Sequence, residues 1–260
     1  MVLEDLEKLI KETADRESLH TLVNFEEVTF DGENALGFLS KITKTRNHIK
    51  GNGVDFDLLT SDLISSISSD IRYSLANAYI YFPYANNFLN EVMPFGTTGV
   101  KAPTYFKTLG DKRFFFYVNT SFEKLYIFWD RIGDILALAF NLDLADRNVY
   151  FSTVIRSMGD RLDETEHGRW LKNFHDEEYE KILNRLRIKI VHYRQKDSYF
   201  FTEWLKLAST YNDNPEKLEE LQREKEELLP LLKRQMELAN EGFEHMVRFI
   251  AEQGVYEKEQ

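Results

Sequence analysis

An all-α fold is the class this sequence predicts, on three observations. Apolar residues recur every three or four positions over four long stretches, 57–93, 121–141, 176–196 and 215–252, the spacing that gathers them on one face of a helix. Start signals stand at three of the four. Thr120 with Glu123 matches a capping box, Asp176 and Glu177 suit a positive helix N-terminus, and Asn214-Pro215 reads as N-cap then first turn. Finally, one short run stands out as a strand candidate, "RFFFYV" at 113–118, where aromatic residues suit a half-buried pleat.

Taken in order, residues 3–20 predict an amphipathic helix, with Leu3, Leu6, Leu9 and Ile10 at helical spacing. "LVNFEEVTF" alternates in part and then meets the turn signal "DGEN". A helix is expected over 35–48, and "KGNGVD" at 50–55 breaks the chain. In 57–93, Leu59, Leu63, Ile67, Ile71, Leu75 and Ala78 form the inner face, and Pro83 kinks or ends the helix. Pro94, Gly96, Gly99, Pro103 and Gly110 mark 94–111 as a long loop. The helix at 121–141 turns Phe122, Leu125, Phe128, Trp129, Ile132, Ile135, Leu136 and Ala139 inward. "RNVYFSTVIRSM" is a further short helix, "GDRLDETEHG" a polar loop, and "DSYFFTEWLKLAS" a packed aromatic segment. The last helix, at ~1.5 Å per residue, spans roughly 50 Å and bends at Pro230. The expected division is an N-terminal helical extension, 1–55, followed by a helical bundle, 56–260.

Composition limits the function classes. With 43% hydrophobic and 30% charged residues, the chain reads as globular, with no compositional case for disorder. The net charge of −11 leaves nucleic acid only a local patch to bind. There is no cysteine, which excludes disulfides, thiolate metal sites and a cysteine nucleophile. Early acids make the N-terminus unlike a secretory signal, and no apolar run approaches the ~20 residues of a spanning helix. The expectation is a soluble, cytoplasmic protein without a membrane partner.

The sharpest local feature is "NRLRIKIVHYRQK", 184–196, with five Lys or Arg, a histidine and no acid. Successive helical residues turn by about 100°. Arg185 and His192, seven apart, lie on nearly one line, flanked by Lys181, Lys189 and Lys196. Arg187 and Arg194 form a second line beside the apolar face. Arg187 and His192 are about 140° apart around the helix, so they meet at one ligand only in a groove or across a partner helix. A solvated cationic last turn, favoured by the helix dipole, is the competing reading.

"LRIKIVHYR", 186–194, resembles the signature helix of the HEPN superfamily, whose motif is an Arg, four to six residues, then a His. Leu186, Arg187, Val191 and His192 match the form L-R-N-x-x-V-H, and Ile188 stands where that form has Asn. The four long segments resemble the family's four-helix bundle, with the motif helix third. The resemblance implies a HEPN-like four-helix bundle with an N-terminal helical extension. It also implies an RNA-binding protein, with metal-independent endoribonuclease chemistry at a cleft shared by two copies. His192 would move the proton at the 2′-hydroxyl or the leaving oxygen, since an imidazole titrates near working pH. Arg187 would stabilise charge on the phosphoryl oxygens. Arg185, with six intervening residues, also meets the spacing. Arg185, Lys189, Arg194 and Lys196 would contact substrate. RNA, a second copy of the chain and an antitoxin-like protein are the implied partners, and no cofactor is implied. Family members that keep the bundle without cleaving supply the alternative, a non-catalytic interaction module.

Other candidates are weaker. Glu164, Glu166, His167, His175, Asp176 and Glu177 cluster in sequence, but Glu164-x-x-His167 falls in an expected loop and Glu241 to His245 is one residue too long for a bundle metal motif. The reading is a solvated loop and no metal. Asp130 and Asp134 interrupt an apolar helix, and a buried carboxylate needs a partner; the readings are an acid that orients Arg187 or His192 across the bundle, a structural ion pair, or a solvent-facing edge. Phosphate-loop, dinucleotide and nucleophile-elbow patterns are absent.

Overall fold

The computed structural model describes residues 3–19, 29–30, 33–34, 37, 39, 66–89, 92–95, 100–144, 149–188, 196–211 and 214–254. α-Helix dominates them. In chain order the elements are α1 Leu3–Arg16, β1 Thr29–Phe30, β2 Glu33–Asn34, α2 Ser68–Tyr81, β3 Val92–Phe95, β4 Val100–Pro103, α3 Leu109–Ala139, α4 Phe151–Met158, α5 Glu166–Phe174, a π-helical segment His175–Leu183, α6 Asn184–Ile188, α7 Lys196–Ala208, α8 Glu216–Glu226 and α9 Leu228–Glu252. Two antiparallel hairpins, β1–β2 and β3–β4, are the strands among the described residues. The expected helix at 35–48, the break at 50–55 and the 55/56 boundary lie outside the described residues, apart from 37 and 39.

Two compact units form. One comprises Met1–His20, Arg72–Phe122 and Leu186–Arg234; the other comprises Thr21–Ile71, Glu123–Arg185 and Gln235–Gln260. The division passes through α2, α3, α6 and α9.

The first unit has an aromatic core of Phe88, Tyr105, Phe115, Phe200 and Trp204. Phe88 meets Tyr105 at 4.8 Å and Phe200 at 5.7 Å, and Phe115 stacks on Phe200 at 5.3 Å. Buried polar groups knit its edges. Gln222 Oε1 accepts from Phe88 N at 2.9 Å. The Lys225 ammonium donates to Asn86 O and lies 4.6 Å from the Phe88 ring centre. Burial lowers the Lys225 pKa to about 8.

The second unit is built on Trp129. Its indole stacks on Phe174 at 3.9 Å and tilts against Phe151 at 5.0 Å. α9 approaches closely through Gly242, where an added Cβ would lie 2.1 Å from Trp129 Cη2.

Several elements differ from the sequence expectation. "RFFFYV" is the interior of the 31-residue α3. Phe114, Phe115, Val118, Phe122 and Leu125 are buried while Phe116 is 62% exposed, a helical rather than an alternating pattern. The helix starts at Leu109 because Thr108 and Asp111 cap it reciprocally. Asp111 N donates to Thr108 Oγ1 at 3.1 Å and Thr108 N donates to Asp111 Oδ2 at 2.8 Å. Thr120, the expected cap, is mid-helix, its hydroxyl donating to Phe116 O at 2.9 Å. The expected loop at 94–111 contains β4 and the end of β3. The helix expected from 176 begins ten residues earlier, at Glu166, where Thr165 Oγ1 accepts from Gly168 N at 3.0 Å. The long C-terminal helix is two, α8 and α9. Pro230 stands third in α9, where its missing N–H removes no intrahelical bond. At Pro83 the expectation holds: α2 stops at Tyr81 and a 3-10 turn, Phe82–Tyr84, follows.

Candidate functional site

The helical run from Glu166 to Ile188 carries the candidate chemistry. Its middle, His175–Leu183, is π-helical: Asn184 N donates to Tyr179 O, five residues back. Such segments are rare and recur at functional positions.

Of the two motif residues, Arg187 falls at the end of this run. The backbone of Arg187 is helical within α6. Its side chain, and all of Lys189, His192 and Arg194, lie outside the described residues. Arg185 is exposed. The basic stripe is less open than expected at its two ends. Lys181 donates to Glu177 Oε2 at 2.5 Å. Lys196 is buried at 8% exposure, its ammonium 5.4 Å from the Tyr199 ring centre and 5.8 Å from that of Phe200, and its backbone N donates to Asn119 Oδ1 at 3.3 Å. A lysine folded onto aromatic rings gives up its place on a solvated row.

The acids and histidines noted between 164 and 177 separate into distinct sets. His175, 3% exposed, is saturated. Its Nε2 is 3.0 Å from Ser152 Oγ and its Nδ1 is 2.7 Å from Asp176 Oδ1. The Ser152 hydroxyl donates to Glu180 Oε1 at 2.5 Å, and Glu180 also accepts from Arg156 at 2.9 Å and Asn184 at 2.9 Å. Burial pushes the Glu180 carboxyl up, but the Ser152 and Asn184 donors and the nearby His175 and Arg156 outweigh it, so it sits below the ordinary range. Ser152, His175 and Asp176 stand in the order of a nucleophile, base and acid. The serine proton nevertheless goes to Glu180, and the imidazole is closed to solvent, so the set fastens α4 to the π segment. Sequence reading missed Ser152 and Glu180. His175 and Glu180 are five apart, a spacing that shares a face in a π-helix rather than an α-helix.

His167 lies on α5 rather than in a loop, and faces His245 of α9, Nδ1 to Nδ1 at 2.8 Å. Trp170 stacks on His245 at 4.4 Å. Burial first, then the His167 charge, lowers the His245 pKa. Among the described residues no three His, Asp or Glu are placed to hold a metal ion. Asp134 makes an ion pair with Arg131 at 2.8 Å, and Asp130 accepts from Phe151 N at 3.3 Å; the alternative partners, the Arg187 side chain and His192, lie outside the described residues. No helix among the described residues is long and apolar enough to cross a membrane.

A helical fold whose sequence carries the Arg187-x4-His192 motif defines a class, and comparison with known families agrees. Residues 105–251 match the Cthe2314-like HEPN family. That is more than half of the chain, which therefore belongs to the HEPN superfamily. The match begins just before α3 and contains Arg187 and His192, but leaves out α2, which the sequence reading had counted in the bundle. No curated protein and no solved structure matches the chain.

Proposed function

We propose that the chain is an RNA-binding HEPN protein whose Arg187 and His192 form half of a metal-independent endoribonuclease site, completed by a second copy. The observation that carries this is the placement of Leu186-Arg187-x4-His192 inside the segment matched by the HEPN family. One copy offers one imidazole, while in-line cleavage needs a base and an acid. One His192 takes the 2′-hydroxyl proton, the 2′-oxygen attacks phosphorus, and the bond to the 5′-oxygen breaks. The other copy's histidine protonates the departing oxygen, leaving a 2′,3′-cyclic phosphate. Arg187 holds the phosphoryl oxygens as charge builds. Arg185, Lys189, Arg194 and Lys196 contact the flanking phosphates; of these, Lys196 has to leave its aromatic seat to do so. Arg187→Ala and His192→Ala should each abolish RNA cleavage with the unfolding midpoint unchanged, and light scattering should give a homodimer at tens of micromolar. Cleavage that survives both substitutions removes the site from consideration.

Ile188 favours a second reading. Without the Asn of the L-R-N-x-x-V-H form, the bundle serves as a non-catalytic module that pairs with itself or with an antitoxin-like protein. This reading expects no cleavage by the wild type.

A further inference from the structure

Residues 72–122 hold five Lys or Arg against two acids, Glu91 and Asp111, in a chain whose net charge is −11. Asp111 is buried and engaged by Asn86 N at 2.9 Å and by Thr108, so it presents no exposed carboxylate to a ligand. Arg72 and Lys107 are paired with Asp15 and Asp197. Lys112 and Arg113 are exposed on α3, and no carboxylate among the described residues pairs with either.

The same stretch carries an open aromatic cluster. Tyr117 is its centre: Tyr81 stacks on it at 5.8 Å with the rings 2° from parallel, and Tyr73 and Phe116 meet it edge-on at 6.2 and 5.2 Å. Phe116 is 62% exposed and Tyr73 is 46% exposed. Arg113 donates to the Tyr81 hydroxyl at 2.8 Å, and its guanidinium lies 5.1 Å from that ring's centre. Leu109, Arg113, Phe116 and Thr120, spaced four, three and four, share one face of α3. Water is a poor cover for such a face, and the cations beside it select what covers it. A second copy docked face to face would set Arg113 and Lys112 against their own kind. An anion with flat apolar surfaces answers both demands.

We infer that Tyr73, Tyr81, Arg113, Phe116 and Tyr117, with Lys112, form a stacking platform for single-stranded nucleic acid. Bases lie on Phe116 and the exposed edge of Tyr73, while Arg113 and Lys112 take the backbone phosphates. Every base has a π-face, so the platform is tolerant of sequence, and it discriminates against duplexes, whose bases are already stacked. The choice of RNA rests on the function proposed above; the site does not.

Anisotropy of a labelled single-stranded RNA of mixed sequence, its length checked after each titration, tests this with the parent and the platform variants all carrying His192→Ala. Phe116→Ala should weaken binding about tenfold, and Phe116→Tyr should restore it. Arg113→Glu should weaken binding by a similar factor and flatten its salt dependence. The same strand annealed into a duplex should bind at least tenfold less tightly. Circular dichroism checks that each variant is folded. Parental affinity in both Phe116→Ala and Arg113→Glu overturns the platform. So does equal binding of polyglutamate, which would mark a general anion sink, or conversion of a dimer to a monomer by Phe116→Ala, which would mark a surface for a second copy. Cleavage by the wild type separates the two readings. If it is lost in His192→Ala while the platform variants bind normally, the motif site stands and the platform falls. If the platform variants lose binding and His192→Ala still cleaves, the reverse holds.

Discussion

α3 carries two aromatic clusters with opposite fates. At Trp129 the indole is fully buried, sandwiched by Phe174, Phe151 and the bare backbone of Gly242. Roughly three to four turns earlier, Tyr117 meets Tyr73, Tyr81 and Phe116 at a surface with Arg113 and Lys112 beside them. Residue type is nearly the same in both. What differs is the company: the bare backbone of Gly242 at one, and at the other two cations that no carboxylate among the described residues pairs. An aromatic excess therefore reports two things in one chain, core filling and a surface that is open for a ligand.

The contrast breaks most visibly at its buried end. Trp129→Ala should cost about 3–5 kcal/mol, read as a drop in the urea midpoint, because a large cavity opens among rings that cannot collapse. Trp129→Phe should recover most of that loss. If Trp129→Ala unfolds at the wild-type midpoint, the cluster is not a core.

Buried charge gives the next effect. The Lys225 pKa falls from 10.5 to about 8 in the folded state. Between those values the unfolded chain holds a proton that the native chain lacks, so stability rises with pH across this window; below about 8 the penalty is present in full. The difference in unfolding free energy between wild type and Lys225→Met should change by roughly 3 kcal/mol from pH 7.5 to 10.5. A constant difference would contradict it.

His245 works in the same direction in the acid range. Its folded pKa lies below the ordinary imidazole value through burial and through His167, against the opposing pull of Glu244 and Glu166. As pH falls below about 6.5, the unfolded chain binds a proton that the native chain refuses, and stability drops. His245→Gln should flatten that loss in thermal melts at successive pH values. The smallest effect belongs to the open cluster: Phe116→Ala should shift stability by no more than about 0.5 kcal/mol, while changing RNA affinity. A large destabilisation would make Phe116 a core residue after all.

Most helices were legible because their apolar spacing is long and regular. The first turns of α3 were not, since "RFFFYV" read alone resembles a strand; the overlooked signal was Thr108-x-x-Asp111, a capping box as good as Thr120-x-x-Glu123. The start of α5 was hidden in the same way, by Thr165 ahead of Gly168. At the site, the Arg187–His192 spacing was readable because it is local. The fate of Lys196 was not, because its seat is made by Tyr199 and Phe200 together with Asn119, 77 residues away. Nor was the Ser152–His175–Glu180 set, which depends on a π-helical register that no local rule announced.

The central claim is a metal-independent ribonuclease centred on His192, and one measurement bears on it most directly. A mixed RNA pool is incubated with the protein in EDTA, wild type beside His192→Ala, and the products are resolved by size and end group. The account predicts cleavage by the wild type to 2′,3′-cyclic phosphate ends and none by His192→Ala. Cleavage that requires a divalent metal, or that His192→Ala performs as well as the wild type, would contradict it.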